Sequence, residues 1–161
     1  MPLDPFPQGH PFLHRCEHRV IYRDTDLAGH VYYGNYLTYF EVGRGAYLRS
    51  LGASYRDWEK RGYIIVVRAA TVEYFKPAYY DDLLIIETRL TKLTPVQLAF
   101  AYRILREPEG GLNADGTNWD VLTTGTTRHP LLRTDRTVSR DGLKLMGELG
   151  VKPEDIPAEL L

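Results

Sequence analysis

The sequence predicts an α+β domain in which one antiparallel sheet packs against one long helix. Three observations carry this. Bulky residues recur at helical spacing between Tyr36 and Leu51; runs rich in Ile, Val, Thr and Tyr fill most of the chain from Tyr63 to Arg128; and the long helix stands early, after a single strand.

Residues 1–12 carry Pro2, Pro5, Pro7, Pro11 and Gly9, which remove backbone donors and resist regular structure, so they read as an N-terminal arm. The domain proper is expected over 13–150 and a tail over 151–161. Cys16 to Tyr22, with Val20, Ile21 and Tyr22, reads as the first strand, ending at the polar knot Arg23-Asp24-Thr25-Asp26. In the long helix Tyr36, Leu37, Phe40, Tyr47, Leu48 and Leu51 share the spacing, Asn35 is placed as N-cap and Gly52 as the stop. Gly43 and Gly45 inside it each cost about 1 kcal/mol relative to Ala, which predicts a helix closely approached by another backbone. A short second helix runs from Ser54, its cap, to Arg61 before Gly62.

Tyr63 to Phe75 reads as one strand, stopping before Pro77 and pairing with Leu83 to Leu93. Thr94-Pro95 marks a turn before Val96 to Ile104, whose Val96, Leu98, Phe100, Tyr102 and Ile104 fall on one face. Glu107 to Asn118, with three glycines and Pro108, is a long hairpin tip, and Trp119 to Arg128 is the last strand. A weak helical pattern at Leu143, Met146 and Leu149 follows. One helix covers one face of so wide a sheet, so self-association, at least to a dimer, is expected to cover the rest.

Composition narrows the function. The 161 residues, 43% hydrophobic and 25% charged, suit one soluble globular domain able to bury a core without disulfides. With 20 Lys+Arg against 21 Asp+Glu and no cationic run, nucleic acid is not an expected partner. No apolar stretch approaches the ~20 residues of a membrane span, and the N-terminus lacks a signal-peptide pattern, so the expected location is the cytoplasm. The single cysteine, Cys16, excludes an internal disulfide and a cysteine-rich zinc site.

The densest polar and glycine cluster, Tyr22 to Tyr36, lies between the first strand and the long helix. Carboxylates at a strand end in a Tyr- and Gly-rich segment gain basicity or nucleophilicity if partly buried. Gly34 and Asn35 stand at the mouth of a helix whose free N–H groups favour a developing oxyanion. The competing reading has equal standing: Asp24, Thr25 and Asp26 form Asx-type turns and Asn35 merely caps the helix. A divalent cation on Asp24 and Asp26 lacks a third nearby carboxylate. His30 ranks below Asp26, since a lone histidine is more often a structural hydrogen bonder.

The string Asp24-Thr25-Asp26-Leu27-Ala28-Gly29-His30-Val31-Tyr32-Tyr33-Gly34-Asn35-Tyr36-Leu37, followed by Tyr39-Phe40-Glu41 and Arg44, resembles the signature of the hotdog-fold acyl-CoA thioesterases of the 4-hydroxybenzoyl-CoA thioesterase type. It is also similar to the YbgC-like branch linked to the Tol-Pal system. Weaker likeness continues through Val72 to Ala78, Asp81-Asp82 and Thr124 to Thr127, so that it covers most of 18–130. The tip at 107–118 is longer than the family's, and the proline-rich arm is extra.

This resemblance implies a hotdog fold, an antiparallel sheet wrapped around one long central helix, with active sites at a dimer interface and often a dimer of dimers. It implies hydrolysis of an acyl-CoA thioester to a free acid and CoA, without metal or cofactor. Asp26 is then the catalytic carboxylate, as nucleophile or as base for water; the backbone N–H of Tyr33 polarises the thioester carbonyl; Gly29 permits the tight loop; and Gly34 and Asn35 border the substrate. Glu41 is a second catalytic candidate, since another hotdog lineage places its acid on the central helix, although an i,i+3 pair with Arg44 explains it equally. Tyr74, Lys76 and Tyr79 are expected along the acyl or pantetheine path, against a plain core role for the aromatics. Arg128, with His129 and Arg133, is the candidate for the CoA phosphates.

Two rivals stay open. One is a hotdog dehydratase or hydratase on acyl thioesters, for which His30 is the available histidine. The other is a non-hydrolytic module binding acyl thioesters or a protein in an envelope-associated assembly. The serine-hydrolase elbow, the phosphate-binding Gly-rich loop, the His-Glu-Xaa-Xaa-His helix and the dinucleotide fingerprint are all missing from the sequence.

Overall fold

Side chains one helical turn apart, Tyr36, Tyr39, Phe40, Gly43, Arg44, Tyr47 and Leu48, form the buried stripe of the longest helix and decide how the sheet must curve around it. In the computed structural model, which describes residues 13–156, this helix is α1 (Asn35–Ser50). The 1–12 arm and residues 157–161 lie outside the described residues. Strand β1 (Leu13–Arg19) precedes α1; α2 (Tyr55–Lys60), β2 (Tyr63–Ile65), β3 (Ala69–Tyr74), β4 (Leu83–Leu93), β5 (Gln97–Arg106), β6 (Asp120–Arg133) and α3 (Gly142–Glu148) follow. All pairings are antiparallel, in the order β1-β4-β5-β6, and β6 then pairs with both β2 and β3.

Several expectations hold. Helix α1 ends before Gly52, whose φ of +96° suits glycine, and Ser54 caps α2 by accepting from the Asp57 amide at 3.1 Å. Leu98, Phe100, Tyr102 and Ile104 of β5 face the core, where Phe40 of α1 stacks on Tyr102 at 4.3 Å between ring centroids. Gly43 is a point of close approach, made by side chains rather than backbone: a Cβ there would run into Thr88 Oγ1 and, at 2.7 Å, Ile86 Cγ2 of β4. Gly45 faces only Arg49 of its own helix.

Other expectations are corrected. The first strand starts at Leu13 and stops at Arg19, and Tyr22–Asp24 is a 3-10 turn. The 63–75 run is two strands, joined by Val66–Arg68, and both pair with β6 rather than with β4. The 75–82 link is too long for a tight hairpin and carries the chain past the Leu122 carbonyl to Val20, where it enters β4 between β1 and β5. The last strand runs through Pro130 to Arg133. At the C-terminus Leu145 and Met146 are buried while Leu143 is exposed, and Val151 and Ile156 also join the core.

The sheet face turned away from α1 carries one carboxylate with no exposure at all. Glu87 of β4 accepts from Arg15 of β1 at 2.6 Å and from Arg103 of β5 at 2.7 Å, and Arg89 lies within 2.9 Å. Burial alone would push this carboxyl up; the hydrogen bonds and charge of Arg103, joined by Arg15 and Arg89, outweigh burial and hold it below the usual carboxylate range. Among the described residues no helix is long and apolar enough to cross a membrane.

Candidate active site

The segment between β1 and α1 is a tight loop closed on itself. The Asp26 amide donates to the His30 carbonyl at 3.0 Å, the Gly29 amide to the Asp26 carbonyl at 3.0 Å, and the Ala28 amide to Asp26 Oδ1 at 2.8 Å. Gly29 at φ +87° makes the tight reversal that the resemblance implies for it. The Asx turn and the exposed carboxylate are therefore the same residue, and the two readings of Asp26 do not compete. Partial burial, however, is not what the structure shows: Asp26 is exposed.

Asp24 is used differently. Its Oδ2 accepts from the buried Tyr39 hydroxyl at 2.9 Å, and its carbonyl accepts from the Tyr32 amide at 2.9 Å and from Asn35 Nδ2 at 2.8 Å. Burial of the Tyr39 phenol, followed by its bond to Asp24, pushes that phenol well above the usual range. Asn35 is thus not a cap but the first residue of α1, and its side chain ties the helix start back to the loop; Gly34 occupies the cap position with no side chain to offer. A Cβ on Gly34 would lie 2.9 Å from the Tyr32 ring.

Tyr33 is exposed, and among the described residues neither its amide nor that of Gly34 has a hydrogen-bond acceptor. The Tyr33 carbonyl accepts from the Tyr74 hydroxyl at 2.7 Å, which brings the end of β3 to the loop. Tyr32 and Tyr33 lie 4.6 Å apart between rings, and the Tyr32 phenol is raised by the hydrogen bond it donates to Tyr33 and, to a smaller extent, by the charge of Asp26. Tyr33 and Tyr74 therefore meet, and the charge of Asp26 reaches the Tyr32 phenol beside them. The arrangement offers an accessible carboxylate, two unengaged N–H groups at a helix start and an aromatic wall.

The remaining candidates fall elsewhere. His30 turns its Nδ1 to the Val31 carbonyl at 3.1 Å and serves the loop. Lys76 pairs with Asp120, and the Tyr79 ring lies under Arg106. Glu41 makes no ion pair with Arg44, which donates instead to the Tyr102 hydroxyl at 3.3 Å; both residues line a cavity of about 270 Å³ further along α1. Arg128 is exposed on the outer sheet face. His129 is a correction: it is 1% exposed, hydrogen-bonded to Thr127 at 2.6 Å, and burial followed by the nearby Arg44 charge pushes it down to about 4, so at neutral pH it is no cation for a phosphate. Arg133 is engaged by Asp141 at 2.8 Å. Sequence reading missed Tyr32 as a neighbour of the carboxylate, although its place in the motif was in view.

Comparison with known proteins gives the family and the fold. The thioesterase-like superfamily model matches residues 20–161. The chain is 38% identical over 101 residues, 63% of its length, to the acyl-CoA thioester hydrolase YbgC of Escherichia coli O6:H1, covering 75% of that protein. Among solved structures it resembles a DHNA-CoA thioesterase from Staphylococcus aureus at 30% identity and TM-score 0.73, covering 86% of this chain and 88% of that one. A 4-hydroxybenzoyl-CoA thioesterase complexed with 4-hydroxybenzoyl-CoA shares the fold at 19% identity and TM-score 0.74, over 85% and 97% of the two chains. The chain belongs to the thioesterase-like superfamily and has the hotdog fold of its thioesterases.

Proposed function

We propose that this chain hydrolyses acyl-CoA thioesters to the free acid and CoA, with Asp26 as the reacting carboxylate. What supports this reading is that an exposed Asp26 and the unengaged Tyr33 and Gly34 amides stand on the one loop that leads into α1. In this reading the thioester carbonyl oxygen lies on the Tyr33 N–H, where the positive end of the helix favours the charge that develops in the tetrahedral state. Asp26 either takes a proton from water, whose oxygen adds to the carbonyl carbon, or adds itself and forms an anhydride that water then opens. In both, the C–S bond breaks and CoA leaves as a thiolate that recovers one proton. Tyr74 and the loop tyrosines border the acyl or pantetheine path, and no metal or cofactor is required.

The working unit is a homodimer or a dimer of dimers. Among the described residues strand β3 pairs with β6 alone, so its other edge presents unpaired backbone groups next to the exposed Val67, Tyr74 and Phe75, a surface suited to a second copy.

The test is release of free thiol from short, long and aromatic acyl-CoA thioesters by wild type and Asp26→Asn side by side. Loss of 10²–10⁴-fold in kcat/KM for the variant, with the fold intact, is the expected result. Equal rates for the two proteins, or no turnover of any thioester, would sink the assignment.

A further inference from the structure

Arg44 is 7% exposed, yet among the described residues it meets no carboxylate, and its Nε has no partner at all. Its partners are hydroxyl groups, Tyr55 and, at a long 3.3 Å, Tyr102, which passes to Thr127 at 2.6 Å and on to His129, all neutral groups. Burying a guanidinium without a counter-charge costs several kcal/mol. Removing this one is not what the fold has done; instead it sets Arg44 against the 270 Å³ cavity, at the small end of ligand pockets, with Tyr55, Trp58 and Tyr63 among its walls. Glu41 and Glu59 also line it, but both are exposed, where water and salt screen them.

The cavity also faces the free sheet edge, because Ile65 at the end of β2 and Val67, between β2 and β3, contribute to its lining. In a two-fold antiparallel pairing of β3 edges, the Tyr74 end of one strand lies beside the Ala69 end of the other. Such a pairing would bring the Asp26 loop of one copy, tied to Tyr74 through Tyr33, toward the Arg44 cavity of the other.

We infer that this cavity is a carboxylate subsite, taking the distal carboxylate of an ω-carboxyacyl thioester whose carbonyl is attacked at Asp26 of the neighbouring copy. The carboxylate supplies the missing counter-charge of Arg44, and the aromatic walls take the methylene chain. This substrate class rests on the thioesterase reading, whereas the anion site does not.

Two measurements separate them. Trp58 fluorescence, read in the full-length Trp119→Phe protein so that a single indole reports, follows titration with hexanoate, adipate and the isosteric hexanamide. The carboxylates are expected to bind at least about tenfold more tightly than the amide, as a charge-assisted hydrogen bond implies, and Arg44→Gln to erase the difference. Hydrolysis of adipyl-CoA and hexanoyl-CoA then gives a kcat/KM ratio of about ten or more in favour of adipyl, falling toward one in Arg44→Gln and partly kept in Arg44→Lys. Equal affinity of wild type for carboxylate and amide overturns the proposal, whether or not the variants fold. So does a dimer that dissociates on Arg44→Gln without any carboxylate binding by wild type, since the counter-charge is then a partner side chain. Carboxylate binding with no adipyl preference on a protein that hydrolyses hexanoyl-CoA overturns the substrate class. Carboxylate binding on a protein that hydrolyses no thioester supports the anion site and removes the thioesterase reading instead.

Discussion

Asp24 and Asp26 are two residues apart and do unrelated work, which mutation should separate. Asp24 is the acceptor for the buried Tyr39 hydroxyl, so Asp24→Ala leaves a phenol unsatisfied and should cost about 1–3 kcal/mol in a urea melt. Among the described residues Asp26 hydrogen-bonds only within its own loop, so Asp26→Ala should stay within about 0.5 kcal/mol of wild type while abolishing turnover. A melt showing the reverse order would contradict these roles. His129 gives a pH signature. Its pKa is depressed to about 4 in the folded chain from 6.5, so the unfolded chain binds more protons between those values. The neutral-histidine contribution is therefore complete above pH 6.5 and is lost as pH falls toward 4, by about 3 kcal/mol at most. Replacing His129 with Gln should flatten the stability-versus-pH curve in that window relative to wild type; parallel curves would show that the histidine does not titrate there.

At the scale of elements, the two glycines of α1 should respond oppositely. Gly43→Ala drives a methyl into Thr88 and Ile86 and should destabilise by about 1–3 kcal/mol. Gly45→Ala meets only the movable end of Arg49, 3.2 Å away, and should stabilise by up to about 1 kcal/mol through helix propensity. Thermal melts of the two variants moving in the same direction would refute the packing described for Gly43. The helix was legible because its stripe is local, seven buried positions within 16 residues. Strand partners were not legible: the 63–75 run has the same β character whichever neighbour it takes, and only the path of the 75–82 link past Leu122 and Val20 sends it to β6. Asn35 misled for a related reason, since an asparagine at a helix start reads as a cap whether its amide turns to the helix or, as here, back to Asp24.

Across the whole molecule the pattern repeats. The Asp26 loop was readable because its parts, from Asp24 to Asn35, are contiguous. The Arg44 cavity was not, because Arg44, Trp58, Tyr63 and His129 come from four elements and no local spacing announces them. The free edge of β3 predicts a solution mass at two or four times the 18.5 kDa of one chain by light scattering, and a monomer at micromolar concentration would remove the composite site. Glu87 has another implication, for descent. With Arg15, Arg89 and Arg103 gathered on one buried carboxylate, losing the acid first leaves three guanidinium groups repelling one another, at about 3–5 kcal/mol for the broken pair, whereas losing an arginine first leaves the acid still satisfied. Among related chains the acid should therefore be the last of the four to vary, and where it has gone the arginines should already have gone before it.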